Sequence, residues 1–594
     1  MSDAISGARP NVRSGHGVSL AGVLLVSLIC FAILLIIKAP NPLTVDVPQL
    51  RIDTDDAMRL AQVQDFLNGQ GWFDLHQYRL GAEGEAPMHW SRVIDAPLAL
   101  LVRGFEAFVD REQAVLAAAV TWPLFGAFLY ILVSLAIAAR VAGYRGLICT
   151  ALIALPYVLL DPQLQPGRVD YHGQQTVLML TMALLLISGG GRAWLSGLAG
   201  LVACLSLSIG VANSPVILMA AAMMAGRWVL EGRQARRDAA AFLGSLALGA
   251  PVAMLLTVPP DQWGVAWCDA LSIAFALVFF IGAGIAGLAA LALPADGPRS
   301  VRIAALVFAG LATTAVTFAA FPECVAGPYA HLDAETREWV GRRAEARNII
   351  WALSQQAGGY THRITLWPLI GLFGLALGAL LAPKGRRYPW VLLFSLAFMG
   401  WIISLFQIRG IRISLPFAAI GAGYLLACIA CLKGVARVVQ PVAFLFVWWT
   451  QTPFAGYLFD KTPEAADGAS AEQIHQILKQ CTFPEQMAPL AALPNGRIAT
   501  SIEFGSYVLL RTPHWVLASP HHRNFEGNLA AIQMIKADRE TTYRMLEQWR
   551  IDYVVICDGW PANIANTWLT EQTLPPWLQP LPSVEPLHLY RFVP

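Results

Sequence analysis

The sequence predicts a polytopic α-helical membrane protein with a C-terminal soluble α/β domain. Of its 594 residues, 56% are hydrophobic and only 13% are charged, whereas soluble proteins have roughly 25% charged residues. Apolar runs of about 20 residues, the length that crosses a bilayer, recur from residue 18 to about residue 456. After about residue 465 these runs stop, and alternating strand and helix patterns replace them.

About thirteen segments have the length and hydropathy of membrane-spanning helices. The first has no small-residue cleavage site after it, so we expect it to stay in the membrane as a spanning helix. Lys and Arg residues cluster in the short loops of one side, which predicts that this side is cytoplasmic. The segments cover residues 18–38, 114–139, 146–161, 174–190, 193–209, 213–229, 239–257, 271–293, 302–320, 364–382, 388–406, 413–432 and 438–456.

This odd number of spans places the two termini on opposite sides of the membrane. We predict a cytoplasmic tail over 1–17, a transmembrane domain over 18–456 and a periplasmic α/β domain over 457–594. The predicted outer loops are 39–113, 161–173 and 321–362, and the predicted location is a bacterial inner membrane. A net charge of +2 in so long a chain argues against a nucleic-acid partner, because phosphate binding needs a concentrated basic face.

The cysteines divide between apolar segments and predicted outer segments. Five of the nine lie in apolar runs, where cysteine packs as a small hydrophobic residue. One or two disulfides can form among the other four in an oxidising compartment, with the pairing open. These four are Cys268, Cys324, Cys481 and Cys557.

The first outer loop contains an acidic cluster directly before an amphipathic run. Asp53, Asp55 and Asp56 occupy three of four consecutive positions. Carboxylates so close to a membrane are costly to desolvate, so they face water, pair with cations, hold a metal or bind a substrate. The alternative is a solvated helix cap formed by Asp55 or Asp56.

A second cluster, PGRVDYHGQQ, lies at the outer end of a span. Asp170 and His172 could supply a carboxylate and an imidazole to a divalent cation, and an imidazole suits manganese or zinc better than magnesium. The alternative is a loop in which Arg168 pairs with Asp170.

Two further clusters are rich in arginine. In GRRAEARNIIWAL, Glu345 lies among arginines that include Arg342, which fits either a phosphate site near a metal or a solvated helix face. In QIRGIRISL, Arg409 and Arg412 could clamp a phosphate or extend to lipid headgroups.

The C-terminal domain contains the last cluster. The runs RIATSIEF, YVLLRT and WVLA within Arg497–Ala518 predict strands, Asn528–Trp549 predicts helices, and DYVVIC predicts a buried strand. His521, His522 and Arg523 follow a Ser-Pro turn, where binding residues or a plain polar turn are equally expected. No P-loop, nucleotide-binding glycine motif or HExxH motif is present in the sequence.

The topology and these clusters together resemble the polyprenyl-phosphate-sugar-dependent membrane glycosyltransferases of the GT-C fold, and above all the catalytic subunit of oligosaccharyltransferase. The segment DDAMRLAQVQDFLNGQGW is similar to the one that begins at the family's first-loop catalytic Asp, which implies this role for Asp55, with Asp56 beside it. GRVDYHGQQTV is similar to the second-loop acidic metal motif, and RRAEAR to the Glu-containing motif of the long outer loop.

The resemblance implies a set of roles by position. Catalysis falls to Asp55 and Asp56. The implied ligands of a divalent cation, Mn²⁺ or Mg²⁺, are Asp55, Asp170, His172 and Glu345. The implied donor-phosphate ligands are Arg168, Arg342, Arg409 and Arg412, and the implied acceptor-binding residues are Glu503, His521, His522 and Arg523.

The chain also departs from the family pattern. Ile502, Glu503 and Phe504 stand where the family has the Trp-Trp-Asp motif that reads an Asn-X-Ser/Thr acceptor, and His172 replaces a carboxylate. The expected reaction is sugar transfer from a polyprenyl-linked donor, with the acceptor open between glycan, lipid and protein.

Three alternatives remain at this point. A transporter or flippase of lipid-linked sugars would place ionisable residues inside the spans, whereas the acidic residues lie at their outer ends. A metal-independent enzyme of the O-antigen-ligase type would rely on arginines alone. A non-enzymatic membrane protein would leave all the acidic clusters as solvated loops.

Overall fold

The computed structural model of the chain describes residues 18–327, 329, 332–341, 346–354, 358–433, 436–451, 479–560, 563 and 574–594. Helices dominate the part before residue 452. They span Leu20–Lys38, Thr54–Leu67, Arg92–Phe105, Arg111–Leu160, His172–Gly189, Ala193–Ile209, Ser214–Glu231, Arg233–Thr257, Ile273–Ala292, Arg299–Ala320, Pro322–Val325, Ala334–Gly341, Ile349–Ser354, Gly358–Ile364, Leu366–Leu381, Arg387–Phe406, Ile411–Ile429 and Ala436–Thr450.

Nine helical segments in the described part of the chain are long and apolar enough to cross a membrane, which confirms a polytopic membrane protein. One of them, Arg111–Leu160, is broken at Gly143, whose φ of 68° is not helical, so it consists of two helices. The remaining predicted spans coincide with His172–Gly189, Ala193–Ile209 and Ala436–Thr450, which are shorter. The count of thirteen spans stays a prediction.

The helix Ile411–Ile429 lies at the centre of one half of the bundle. It packs against Leu366–Leu381, Arg111–Leu160 and Arg387–Phe406. The approach is close because small residues face each other: a Cβ added to Gly374 would lie 2.0 Å from the carbonyl oxygen of Gly421. This packing fixes the start of the helix, where Arg412 lies.

The region of the first predicted outer loop is folded and joins the C-terminal domain. It contains the helices Thr54–Leu67 and Arg92–Phe105 and the short hairpin His76–Gln77/Ala86–Pro87. Arg79 donates hydrogen bonds to the carbonyl oxygens of Leu509 and Thr512, at 2.8 and 2.7 Å. The helix Thr54–Leu67 also packs against a C-terminal helix, so the two regions position each other.

The C-terminal domain has a five-stranded mixed sheet, which confirms the predicted α/β class. The first three strands across the sheet are parallel, and the fourth is antiparallel to both of its neighbours. In spatial order the strands are Trp515–Val516, Arg497–Ala499, Tyr553–Cys557, Leu587–Phe592 and Leu578–Pro580. The described helices of this domain are Pro484–Ala491, Ile502–Arg511, Phe525–Lys536 and Arg539–Gln548.

Two of the predicted strands need correction. The run RIATSIEF is a strand only over Arg497–Ala499, and its last three residues begin the helix Ile502–Arg511. The run YVLLRT belongs to the helix Ile502–Arg511, which buries nearly all of its length between the sheet and the helix Thr54–Leu67. A short apolar run is compatible with either a buried strand or a buried helix, because its periodicity does not distinguish the two when every face is apolar. The predicted strand DYVVIC and the helices within Asn528–Trp549 are confirmed.

Two disulfides form among the four cysteines of the predicted outer segments. Cys268 pairs with Cys324, and Cys481 pairs with Cys557. The first joins the segment after the helix Arg233–Thr257 to the segment after the helix Arg299–Ala320. The pairing, which the sequence left open, therefore stabilises the same end of the bundle that carries the C-terminal domain.

Candidate active site

The three carboxylates at the start of the helix Thr54–Leu67 have different surroundings. Asp53 is the N-cap, since its Oδ1 accepts hydrogen bonds from the backbone N–H groups of Asp55 and Asp56 at 3.0 and 3.1 Å. The Oδ2 of Asp56 accepts one in return from the N–H of Asp53 at 3.0 Å. Asp53, rather than Asp55 or Asp56, therefore caps the helix, which corrects the cap position predicted from the sequence.

Asp56 joins the first predicted loop to the second. Its Oδ1 accepts hydrogen bonds from the N–H groups of Val169 and Asp170, both at 2.8 Å, and its Oδ2 lies 2.8 Å from Nη1 of Arg168. Arg168 also pairs with Asp53, not with Asp170 as the alternative supposed. Asp56 is fully buried, so these hydrogen bonds and the contact with Arg168 replace the water that its carboxylate loses. The structure thus places Asp56 and Arg168 inside a buried junction.

Asp170 and His172 lie at the end of that second segment, where the helix His172–Gly189 begins. The Oδ2 of Asp170 is 3.5 Å from Nε2 of His172, and its Oδ1 accepts a hydrogen bond from the N–H of Tyr171 at 2.6 Å. Burial raises the pKa of Asp170, and the charge of Arg168 opposes the shift. The predicted pair is therefore brought together in the structure, with His172 partly exposed.

Asp55 points to the C-terminal domain. Its Oδ1 lies 4.0 Å from Nε2 of His521, and about a third of its side chain is exposed. The Nδ1 of His521 is 2.8 Å from Oγ of Ser519, and the edge of the Trp90 ring meets the imidazole with centroids 4.9 Å apart. A hydrogen bond at Nδ1 fixes the orientation of the ring and directs Nε2 to Asp55.

A buried network of ion pairs holds Trp90 in its place beside His521. Asp95 binds Nη1 of Arg59 at 2.9 Å and Nη1 of Arg92 at 3.0 Å, and all three side chains are buried. The guanidinium of Arg59 lies over the Trp90 ring, 4.2 Å from its centroid. Arg59 therefore fixes Trp90, which in turn packs against His521.

A cavity of about 340 Å³ opens beside these groups. Tyr171, His172, Arg409 and Arg412 line it, together with residues of the C-terminal domain and of the segment around Asp269. A smaller pocket of about 100 Å³ shares Arg409 and Arg412 and adds further aromatic and aliphatic walls. The Nε of Arg409 is buried and has no hydrogen-bond partner in the part of the chain that the structure describes.

His522 and Arg523 bind a carboxylate that the sequence did not single out. Nε2 of His522 lies 2.6 Å from Oδ2 of Asp269, and Arg523 donates to both oxygens of Asp269 at 2.9 and 3.0 Å. Burial acts to raise the pKa of Asp269, but the hydrogen bond from His522 and the charge of Arg523 overcome it, so the pKa lies well below its usual range. The only signal in the sequence was one Asp beside Cys268 in a predicted outer segment.

Two groups of residues could hold a divalent cation. The separations of 4.0 Å between Asp55 and His521 and of 3.5 Å between Asp170 and His172 suit ligands that share one ion, since metal–ligand distances are about 2 Å. Among the described residues, however, the one triplet whose ligand atoms all lie within 4.8 Å of one another is His89, Asp269 and His522. Each pair of the first group is thus close enough to share an ion, but one ion could be held by both pairs only if the pairs moved closer to each other.

The remaining predicted site residues do not all reach the cavity. Glu503 lies in the first turn of the helix Ile502–Arg511, and its neighbours Ile502 and Phe504 are buried in the protein core. Glu345 and Arg342 lie outside the described residues. His89 and Trp90, within the predicted first loop, were missed because neither residue type stands out in an aromatic-rich stretch.

Solved structures of known proteins share the fold of this chain, although no sequence match was found. No family model matches the chain, and no curated protein matches its sequence. Solved structures of the oligosaccharyltransferase of Archaeoglobus fulgidus do match. AglB in complex with an inhibitory peptide and a dolichol-phosphate gives a TM-score of 0.65 at 14% identity, over 90% of this chain and 69% of that chain. The apo form gives 0.64 at 13% identity, with the same coverage.

A third structure, the complex of that enzyme with Zn and sulfate, gives a TM-score of 0.57 at 14% identity, over 90% of this chain and 67% of that chain. The fold of the chain is therefore of the GT-C type, as the resemblance in the sequence predicted. Within that class it shares its architecture with an archaeal oligosaccharyltransferase, from which it differs at most positions of the sequence.

Proposed function

We propose that the chain is a membrane glycosyltransferase that moves a sugar or oligosaccharide from a polyprenyl phosphate or diphosphate donor to an acceptor. The observation that carries the proposal is a cavity lined by His172, Arg409 and Arg412, with Asp170 directly behind its wall, 3.5 Å from His172. Tyr171 links these groups, because it lines the cavity and its pKa is raised by burial and by the charges of Asp170 and Asp55. Paired acidic and basic groups at one cavity suit the transfer of a group from phosphate.

Asp55 is the proposed general base. In the transfer, the acceptor atom forms a bond to C1 of the sugar, and the bond from C1 to the phosphate oxygen breaks with its electron pair going to the phosphate. The acceptor proton passes to the carboxylate of Asp55, which is exposed enough to reach a ligand and is held beside His521. In this proposal Asp56 has a structural role, since its oxygens accept hydrogen bonds from backbone N–H groups inside the protein.

Arg409 and Arg412 are the proposed phosphate ligands. Both line the cavity and the adjoining pocket, and the unpartnered Nε of Arg409 leaves hydrogen-bonding capacity for a ligand. Asp170 and His172, with Asp55 as a third ligand, would hold a divalent cation, Mn²⁺ or Mg²⁺, whose charge stabilises the departing phosphate. If the basic loops are cytoplasmic, as the sequence predicts, the proposed site lies on the periplasmic side of a bacterial inner membrane.

The test uses the full chain reconstituted in proteoliposomes with a panel of polyprenyl phosphate and diphosphate sugars. Release of the polyprenyl phosphate or diphosphate is measured with and without EDTA. We expect release from at least one donor, a fall of about tenfold or more in EDTA, and recovery when one divalent cation is added back.

Two outcomes would count against the proposal. Lipid-linked sugar that crosses the bilayer with no release from any donor would indicate a transporter. Release that EDTA leaves unchanged would retain the transferase but remove the metal, as in an enzyme of the O-antigen-ligase type.

A further inference from the structure

A carboxylate and an imidazole form a fixed pair at the wall of the cavity. Asp269 and His522 both line the cavity, and Nε2 of His522 lies 2.6 Å from Oδ2 of Asp269. Because a carboxylate only accepts hydrogen bonds, His522 carries its proton on Nε2. In the neutral imidazole this leaves Nδ1 as a hydrogen-bond acceptor.

The same contacts argue against a metal at this place. Both oxygens of Asp269 accept hydrogen bonds from Arg523, whose guanidinium also stacks on the Trp267 ring at 3.9 Å. A cation bound to Asp269 would have to displace this bidentate contact or lie beside a fixed positive charge. The triplet His89, Asp269 and His522 is thus arranged to hold an imidazole in place rather than an ion.

The surroundings of His522 suit a carbohydrate. The ring of Tyr329 meets the imidazole edge-on with centroids 5.2 Å apart, and that of His89 lies 4.8 Å away. Thr176, Ser214 and Gln407 add hydroxyl and amide groups to the same lining. Flat rings combined with neutral hydrogen-bonding groups match the alternating apolar faces and hydroxyl rim of a sugar.

A peptide acceptor is less compatible with the described residues. Ile502 and Phe504 are 2% and 1% exposed, and they pack into the protein core. Side chains this deeply buried cannot form the groove in which a peptide would lie. The residues that the sequence resemblance aligns with the sequon-reading motif are therefore part of the core.

We infer that the acceptor is a glycan and that His522, oriented by Asp269, binds one of its hydroxyl groups. The inference rests on the proposed transferase function and names the acceptor of that same site. The bound hydroxyl is not the one that reacts, because His521 and His89 separate His522 from Asp55. His522 is thus an acceptor-binding residue, and Asp269 is a positioning residue.

The experiment compares a glycan acceptor with its monodeoxy analogues. A panel of free oligosaccharides is tested with the reactive donor, and each hydroxyl of the best acceptor is then replaced by hydrogen. In the wild type we expect one analogue to lose about tenfold in kcat/KM, as one hydrogen bond predicts. In His522→Phe, the parent glycan should lose the same factor and the discrimination between parent and analogue should vanish.

Asp269→Asn tests the positioning role through a different readout. We expect the KM for the glycan to rise while the KM for the donor stays unchanged. The matched control is His76→Phe, since Nδ1 of His76 lies 3.4 Å from Asp74 in a second carboxylate–imidazole pair that does not line the cavity. This control should retain the discrimination, and thermal melting checks that all variants are folded.

The failures of the inference and of the proposed function can be told apart. No release from any donor in the wild type would refute the function. Transfer to an Asn-X-Thr peptide with none to glycans would refute the glycan acceptor alone. Full discrimination retained in a folded His522→Phe variant would refute the role of His522. Saturation-transfer NMR with the parent glycan reports its binding without turnover.

Discussion

Asp55 and Asp56 are neighbours in the sequence, but their environments are opposite. Asp56 is fully buried, and its oxygens accept from three backbone N–H groups and from Arg168. Asp55 is a third exposed and faces His521 across 4.0 Å. Successive residues of an α-helix point about 100° apart, so one carboxylate turns into the junction of the two loop regions and the other toward the C-terminal domain.

A short acidic motif can therefore hold neighbouring carboxylates in two different environments. The buried carboxylate builds the scaffold, because it holds the backbone that carries Asp170. The exposed carboxylate has the access to a ligand that the proposed general base needs. Position in the sequence does not distinguish the two carboxylates, whereas burial and the number of accepted hydrogen bonds do.

The largest expected effect belongs to Asp55. In Asp55→Asn we expect transfer to fall by roughly 10²–10⁴-fold, the contribution of a general base, with little change in melting temperature. Release of the polyprenyl carrier and thermal melting of the detergent-purified protein measure the two quantities. A folded Asp55→Asn variant with normal transfer would show that the assignment of the base is wrong.

Asp56→Asn should reverse the pattern. The amide would direct its N–H₂ group at Arg168 and at the N–H of Asp53, both of which are donors. We therefore expect the free energy of unfolding to fall by roughly 3 kcal/mol. This is at the lower end for breaking a buried ion pair, because Arg168 keeps its contact with Asp53. Chemical denaturation of Asp55→Asn and Asp56→Asn side by side measures the difference. Equal stability of the two variants would remove the distinction between scaffold and site.

A smaller effect should appear in the pH dependence of stability, from Asp269. The pKa of Asp269 is lowered in the folded protein, so its ionised carboxylate stabilises the folded state. This stabilisation is fully present above the unfolded-state pKa of about 3.9 and is lost as the pH falls toward the folded-state pKa. We expect the wild type to lose stability below about pH 4 more steeply than Asp269→Asn. Melting temperatures between neutral and acidic pH test this, and parallel curves for the two proteins would contradict it.

Most of the fold could be predicted from the sequence because long apolar segments report burial in a bilayer directly. This signal predicted the helices of the bundle and the start of the C-terminal domain near residue 465. A short apolar run predicted the strand Tyr553–Cys557. The helix Ile502–Arg511 did not, since it is buried on all sides and its apolar pattern has no period.

The site was predicted only in part. Asp170, His172, Arg409 and Arg412 come together as expected, because each lies at the end of a helix and the bundle aligns these ends. His89 and Asp269 were missed because each is a single polar residue whose partner is hundreds of positions away in the chain.

Composition and hydropathy are enough to predict that the chain crosses a membrane repeatedly and that a soluble domain follows. They also locate the acidic and basic clusters. Local composition is sufficient for these, since transfer of side chains into a bilayer depends on the residues of one segment. The burial of Asp56, the contact of Asp269 with His522 and the pairing of Cys268 with Cys324 become visible only in the folded chain. Burial and hydrogen-bond partners are properties of contacts between distant segments, and these arise only when the chain folds.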